Sequence, residues 1–406
     1  MVQKEKILSD KIRKSKSPQA MVTMKNKLEI IESKIAESLN QDRVKSENTA
    51  IDKIKENSKF FFKYAKKFSK CNENIGPLQE KSGNIVNNNE DMAKILANQY
   101  RSVFLKPLDT YPEYSHQDYN CGIMKEVLFT EENISKNIMR LKNSSSPGPD
   151  CIISECYKYG GSYMKDALID IFSQMYDEGY SPYKSRLAWI SPTWKGKSKL
   201  DPANYRPIAL TNNLSKIFEG VIREHILNHL SENNAMDITQ HGSIKGMSTT
   251  SQLLEQIKYV HEILENGSNL ELIYLDFSKA YDRVDHKILL SKLEKMGIIG
   301  KNLNFIEHWL TQRKQRVKVA DSLSQWDEMI SGIPQGSVLG PLLFILFIWD
   351  LGMDLREIHD PKIMVKLLKY IDDTKIIGKV SNEDEIEVFQ SIMNNIYKCE
   401  TENNML

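Results

Sequence analysis

Cysteine is scarce and scattered in this chain: Cys71, Cys121, Cys151, Cys156 and Cys399 form no CxxC pair and show no metal-ligand spacing with histidine. That excludes a disulfide scaffold and a zinc ribbon, and an odd, dispersed set predicts reduced thiols inside a cell. Net charge is nearly absent as well, at +1, so the overall balance names no partner. Long apolar runs are missing. The most apolar stretch, Val338 to Trp349, is too short to span a bilayer and contains Gly340 and Pro341, so it predicts a buried helix. The first residues are charged and lack an apolar segment, which reads as no secretory signal. The expectation is an intracellular protein of the cytoplasm or nucleus that makes no use of a membrane.

Charge is present locally. Residues 1–70 hold 18 Lys and Arg against 9 Asp and Glu, an excess of +9, and the segment from Ser381 leans acidic. A basic arm of this size suits phosphates, but charged helical faces are also simply solvated, and both readings stand. Ile30, Ile31, Ile35 and Leu39 fall at helical intervals within it. Phe60, Phe61, Phe62, Tyr64 and Phe68 alternate with lysines, a pattern that fits stacking on bases or, more blandly, packing on the next domain. Gly83 to Glu90 holds four Asn, so residues 71–90 predict a loop, followed by a helix over Asp91 to Leu105.

A clearer helix starts at Thr130, a predicted N-cap, with Glu131 and Glu132 in the first turn and Ile134, Ile138 and Leu141 on one face. It cannot continue through Ser144 to Asp150, which carries Pro147, Gly148 and Pro149. The second half alternates strands and helices. Leu272 to Asp276 predicts a strand, then a helix through Ile288, Leu289, Leu293 and Met296 stops at Gly297. Gln315 to Ala320 predicts another strand. Ile363 to Tyr370 and Thr374 to Val380 form a predicted hairpin with Asp372 and Asp373 at its tip. This mixture implies an α+β sheet with helices on one face, with the strands before both aspartate sites central in it.

Asp276 therefore ends one apolar strand and Asp372-Asp373 ends another. A lone aspartate in such a place is commonly a turn residue. If the strand ends meet, their carboxylates repel one another and need cations between them, and all-oxygen ligands favour Mg²⁺. Two such ions about 4 Å apart serve in-line phosphoryl transfer to a 3′-hydroxyl.

At these positions the sequence resembles a known family. Leu275 to His286 (LDFSKAYDRVDH), Ser331 to Leu342 (SGIPQGSVLGPL) and Tyr370 to Lys375 (YIDDTK) resemble motifs A, B and C of non-LTR (LINE-type, jockey-like) retrotransposon reverse transcriptases. Ser146-Pro147-Gly148-Pro149-Asp150 and Asn204-Tyr205-Arg206-Pro207-Ile208 match two fingers motifs in the same order, so five motifs are spread over about 230 residues. The resemblance implies a right-hand polymerase with fingers and a ferredoxin-like palm. Residues 1–128 would be a basic, mostly helical region with a linker, 129–270 the fingers with the start of the palm, and 271–406 a palm that stops before the thumb. No endonuclease domain is expected within the chain.

Roles follow from the resemblance alone. Asp276 and Asp372 would ligate two Mg²⁺ (or Mn²⁺) ions with the backbone carbonyl of Phe277, and Asp373 would support them. Tyr281 falls at the steric gate, where the family usually has Phe and a ring excludes the 2′-hydroxyl. Arg206 and Lys195 would grip the triphosphate; Lys197 and Lys199 lie beside Lys195, so a merely exposed lysine is the alternative there. Gln335 would sit at the nucleotide and template, or simply lead into a buried helix. Ile371 replaces a common Ala, and Cys151 replaces the usual Gly after Asp150. The implied partners are an RNA template, a DNA primer and deoxynucleoside triphosphates. An RNA-dependent RNA polymerase is one rival, since Asp282 lies where such enzymes read the 2′-hydroxyl. An inactive nucleic-acid-binding fragment is the other.

Overall fold

The computed structural model describes residues 18–56, 75–106, 108, 111, 121–143, 146–353, 355 and 364–404. The chain separates into two units, Met1–Asn74 and Ile75–Leu406. In the first unit the described element is α1 (Pro18–Glu56), a helix of 39 residues. Ile30, Val44 and Ile51 on it are all exposed, so its described part is a solvated helix, as the lysine-rich sequence implies. The Phe60 to Phe68 cluster lies outside the described residues.

The second unit begins earlier than the expected boundary at residue 128. Where a loop was expected, β1 (Leu78–Gln79) and β2 (Ile85–Val86) pair as a small antiparallel hairpin. Asn88 then caps α2 (Asn89–Arg101) by accepting the Asp91 amide at 2.8 Å. Asparagines here serve a turn and an N-cap, two uses that composition does not separate from a loop.

Next come α3 (Glu131–Arg140), α4 (Ser154–Lys158), α5 (Gly161–Asp177), β3 (Leu187–Trp194), β4 (Tyr205–Leu210), α6 (Asn213–Glu232), α7 (Thr249–Glu265) and β5 (Leu270–Leu275). Thr130 is the N-cap of α3, in a reciprocal capping box with Asn133. After β5 follow α8 (His286–Lys295), α9 (Lys301–Leu310), β6 (Lys314–Val319), β7 (Ser322–Leu323), β8 (Asp327–Glu328), α10 (Gly340–Phe347), β9 (Val365–Tyr370), β10 (Asp373–Lys379) and α11 (Glu383–Glu402). All described residues of α10 except Pro341 are buried, as the apolar run implies.

One sheet has the order β4-β3-β6-β7, with β8 also on β6, and β6 joins β3 in parallel. A strand from the range expected to be palm thus joins the sheet of the range expected to be fingers. Leu78, Leu96 and Tyr100 pack on Ala188, Ile190 and Val317 of that sheet in a core of their own. The second sheet has the order β5-β10-β9, all antiparallel. The expectation that the strands before both aspartate sites are central is corrected here: β5 and β9 are both edges, and the central strand is β10, which follows Asp372.

Helices on one face also need correcting. Leu367 and Ile376 point into the large core, whereas their neighbours Leu368 and Ile377 pack with Ile263 of α7 on the opposite face. Successive strand residues face opposite ways, and both sets are apolar, so both faces require cover. The large core runs continuously from Phe129, Phe172 and Phe218 through Phe305 to Phe344, Leu367 and Phe389, joining expected fingers and palm. Phe218 packs on Phe305 at 4.7 Å between ring centres within it.

Candidate active site

The register of the three-stranded sheet brings the aspartates to one end. Leu275, the last residue of β5, pairs with Thr374, and Asp276 follows immediately. On the other side of β10, Asp373 pairs with Tyr370, so Ile371 and Asp372 form the hairpin tip. Ile371 has φ of 58°, the left-handed region. A branched side chain resists that conformation, and a cost of about 1–3 kcal/mol persists only when the surroundings impose it.

What imposes it is Gln240, which is fully buried. Its Oε1 accepts the Ile371 amide at 2.8 Å and the Gly242 amide at 2.8 Å. The segment carrying it runs beside β9: the Lys369 amide donates to Thr239 O and the His241 amide donates to Lys369 O, both at 2.8 Å. Below the tip, Lys369 Nζ meets Asp237 Oδ2 at 3.0 Å, both side chains buried, and also donates to Ile348 O. Gly242 must be glycine, since a Cβ there would lie 2.6 Å from Ile371 Cγ1. Sequence reasoning passed over Gln240 and Gly242; an amide two residues before a glycine was the only signal, and a weak one.

Charge at the sheet end is unbalanced. Burial pushes the Asp372 carboxyl up, Asp373 and Asp276 push it further by repulsion, and Arg206 opposes them. Those four side chains therefore share one electrostatic neighbourhood. Asp282 is pushed up to about 6, first by burial, against the pull of Lys279, Lys195 and Gln335. Lys195 is lowered by partial loss of water and then by the like charges of Lys279 and Arg206, while Asp282 and Asp276 counter this. Lys195 extends from the end of β3 and Arg206 lies on β4. The backbone amide of Lys195 donates to Asn204 O at 2.9 Å, closing the turn that brings both cations to this side.

Tyr281 stacks flat on Phe344 of α10, with ring centres 4.9 Å apart and planes 14° from parallel. Burial raises its hydroxyl pKa, and the nearby Asp372 charge raises it further. Motif B folds back on motif A: the Ile333 amide donates to Tyr281 O at 2.7 Å, and Ser331 Oγ donates to Asp282 O at 2.8 Å. Gln335 Nε2 reaches Asp282 Oδ2 at 3.4 Å, and the Ala209 amide donates to Gln335 O at 2.6 Å. Gly336, at φ of 127°, allows this, because a Cβ there would lie 2.4 Å from Ala209 O. The turn is fixed from below by Glu219 of α6, fully buried. Its Oε2 accepts the Val338 and Leu339 amides at 2.7 and 3.2 Å, and its Oε1 accepts Trp309 Nε1 at 3.0 Å. Glu219 was also missed, since a glutamate within a helix normally signals a solvated face.

Seven of the eight sequence-predicted residues thus border one region: Asp276, Asp372, Asp373, Tyr281, Lys195 and Arg206 through their mutual fields, and Gln335 through Asp282; the eighth, Phe277, follows Asp276 with its side chain buried in the large core. Among the described residues no three His, Cys, Asp or Glu side chains are close enough to cage an ion. The donor set still fits Mg²⁺, which usually takes one or two carboxylates and completes its shell with water and substrate phosphate. The like-charge repulsion at Asp372 is what a cation would relieve.

An antiparallel sheet with aspartates at one end, a stacked ring beside them and cations from a neighbouring sheet defines a polymerase palm with its fingers. Residues 195–405 match the family model described as reverse transcriptase (RNA-dependent DNA polymerase). The chain belongs to that family. It is 29% identical over 248 residues to the probable RNA-directed DNA polymerase from transposon BS of Drosophila melanogaster, covering 61% of this chain and 27% of that protein. Identity is 30% over 222 residues to the corresponding probable polymerase from the X-element of the same species, covering 54% and 24%. It is 29% over 253 residues to the RNA-directed DNA polymerase from mobile element jockey, covering 62% and 27%. The chain thus spans about a quarter of the length of these relatives. The resemblance to jockey-like non-LTR elements is borne out. Among the described residues no helix is long and apolar enough to cross a membrane.

Proposed function

We propose that this chain carries the catalytic centre for RNA-templated addition of deoxynucleotides to a primer 3′ end. The template would be the element's own RNA and the primer a nicked genomic strand. The observation that supports it most is the register that sets Asp276 beside the Asp372-Asp373 tip, with Arg206 acting on the same carboxyl. Asp276 and Asp372, with the Phe277 carbonyl, would hold two Mg²⁺ ions, and Mn²⁺ suits the same oxygens. Bound there, the ions supply charge stabilisation for in-line phosphoryl transfer.

The chain's own residues do the rest. Arg206 and Lys195 hold the triphosphate by charge-assisted contacts. Tyr281, pressed on Phe344, blocks the space of a 2′-hydroxyl, which separates this reading from an RNA-synthesising enzyme. Gln335, anchored at Ala209 and Asp282, positions the nucleotide against the template. Primer extension with Mg²⁺, comparing the chain with Asp372→Asn, tests the reading. Extension by the first and none by the second is expected. Equal extension by both removes Asp372 from the mechanism, and no extension by either favours a fragment that only binds nucleic acid. Preference for ribonucleotides would sink the reading in favour of an RNA polymerase.

A further inference from the structure

Tyr100 stands in the last turn of α2, outside residues 195–405 that match the family model. Its side chain is only 4% exposed, and its hydroxyl has no hydrogen-bond partner among the described residues. A buried donor left unpaired is costly, so its persistence calls for a reason. The ring belongs to the small core with Tyr205 and Ala209 of β4, and the Ala209 amide is the one that holds the Gln335 carbonyl. Burial raises the Tyr100 pKa, and the Asp282 charge raises it further, so the hydroxyl lies within the field of that carboxyl. The backbone makes the same connection. Just beyond α2 the Leu105 amide donates to Ser331 Oγ at 2.8 Å, and Ser331 Oγ donates to Asp282 O. The end of α2 is thus tied to motifs A and B around one residue, Asp282.

In this structure the charge of Asp282 is balanced by Lys279, Lys195 and Gln335 Nε2. Lys195 is also one of the two cations assigned above to the triphosphate. It cannot serve both anions at full strength. As Lys195 turns to an incoming nucleotide, Asp282 loses a counter-charge, and a carboxylate held away from water then needs another donor. We propose that Tyr100 is a positioning residue, whose hydroxyl donates to Asp282 once the nucleotide takes Lys195 and so keeps that carboxylate on Gln335. The role rests on the polymerase reading above. It makes the end of α2 a part of nucleotide selection, acting through Asp282 and Gln335 and never on the substrate itself.

Nucleotide affinity decides it, read from the fluorescence of a labelled template on the full chain with Mg²⁺ and a dideoxy-terminated primer, where no bond can form. Tyr100→Phe should weaken the complementary deoxynucleoside triphosphate about tenfold, the lower end for a hydrogen bond to a charged group. Because the hydroxyl has no partner in the free chain, the same variant should melt at the parent's temperature or above it. Its affinity for the primer–template should not change. In an Asp282→Ala background, Tyr100→Phe should have no further effect on nucleotide affinity. Unchanged nucleotide affinity in Tyr100→Phe would overturn the proposal, whether or not the melting temperature falls. An equal loss with and without Asp282 would overturn it too. The single variant remains decisive should Asp282→Ala not fold. A parent that binds nucleotide but is indifferent to Tyr100→Phe loses this role and keeps the polymerase reading; a parent that binds no nucleotide loses both.

Discussion

The two loops that meet at the candidate active site are each held by one fully buried polar side chain, and the two side chains differ in charge. Gln240 accepts two backbone amides, Ile371 and Gly242, beneath the aspartate tip. Glu219 accepts two backbone amides, Val338 and Leu339, beneath the motif B turn. The geometry is similar; the surroundings are not. The sheet end beside Gln240 already holds three carboxylates, Asp276, Asp372 and Asp373, and a fourth negative charge would add to the repulsion on Asp372. The motif B clamp faces the N-terminal end of α10: burial pushes the Glu219 carboxyl up, while the buried Arg313 guanidinium, the Val338 and Leu339 amides and the Trp309 indole oppose this by favouring its charged form. Arg313 lies over the Trp309 ring at 4.9 Å, and that indole donates to Glu219. A buried clamp thus takes the charge that its neighbours lack.

The strongest way to break the comparison is Glu219→Leu. It leaves Arg313, whose Nε and Nη2 already have no hydrogen-bond partner, as a buried charge without its counter-ion. A stability loss of about 3–5 kcal/mol is expected in chemical denaturation. Gln240→Leu strands two amides but no charge, so about 2–3 kcal/mol should be lost. Because Asp372 then drifts with Ile371, kcat for primer extension should fall far more than KM for the nucleotide rises. Exchanging the charges sharpens the point: Gln240→Glu should harm activity more than Glu219→Gln, although each keeps an acceptor oxygen.

Asp282→Asn should act in the opposite direction. The folded-state value of about 6 lies above the ordinary 3.8, so the protonated form is favoured by folding. That contribution is complete below about pH 3.8 and is lost as pH rises through 6. The variant should therefore be more stable than the parent at pH 8, by about 1–3 kcal/mol, and equal to it near pH 3.5 in thermal melts. The smallest effect belongs to Ile371→Gly. It relieves the left-handed residue by about 1 kcal/mol and should reduce the cost of Gln240→Leu in a double-mutant cycle.

Much of this site was legible in the chain because each motif is local. The Thr130 cap, the buried α10 run and the hairpin around Asp372 are dictated by neighbours within a few residues. What was not legible depends on distant partners. The β5 edge position, cover on both sheet faces and the joining of β6 to β3 arise only when residues far apart in sequence pair. Gln240 and Glu219 were invisible for the same reason: the Gln240 bond to Ile371 spans 131 positions, and the Glu219 bonds to Trp309 and Val338 span 90 and 119. Asn88 and Asn133 show the converse limit, since a residue that favours loops also caps helices.

The stack of Tyr281 on Phe344 has a consequence for fidelity. If Tyr281 is the sugar gate and the Gln335 turn meets the base pair, as proposed above, the gate cannot tilt without disturbing that turn, because its ring is stacked on the helix that follows Gln335. Sugar discrimination and base discrimination would then share one mechanical degree of freedom, and an error in one would be correlated with an error in the other. On that reading, trimming Phe344 would leave every polar group in place and still lower fidelity on both counts.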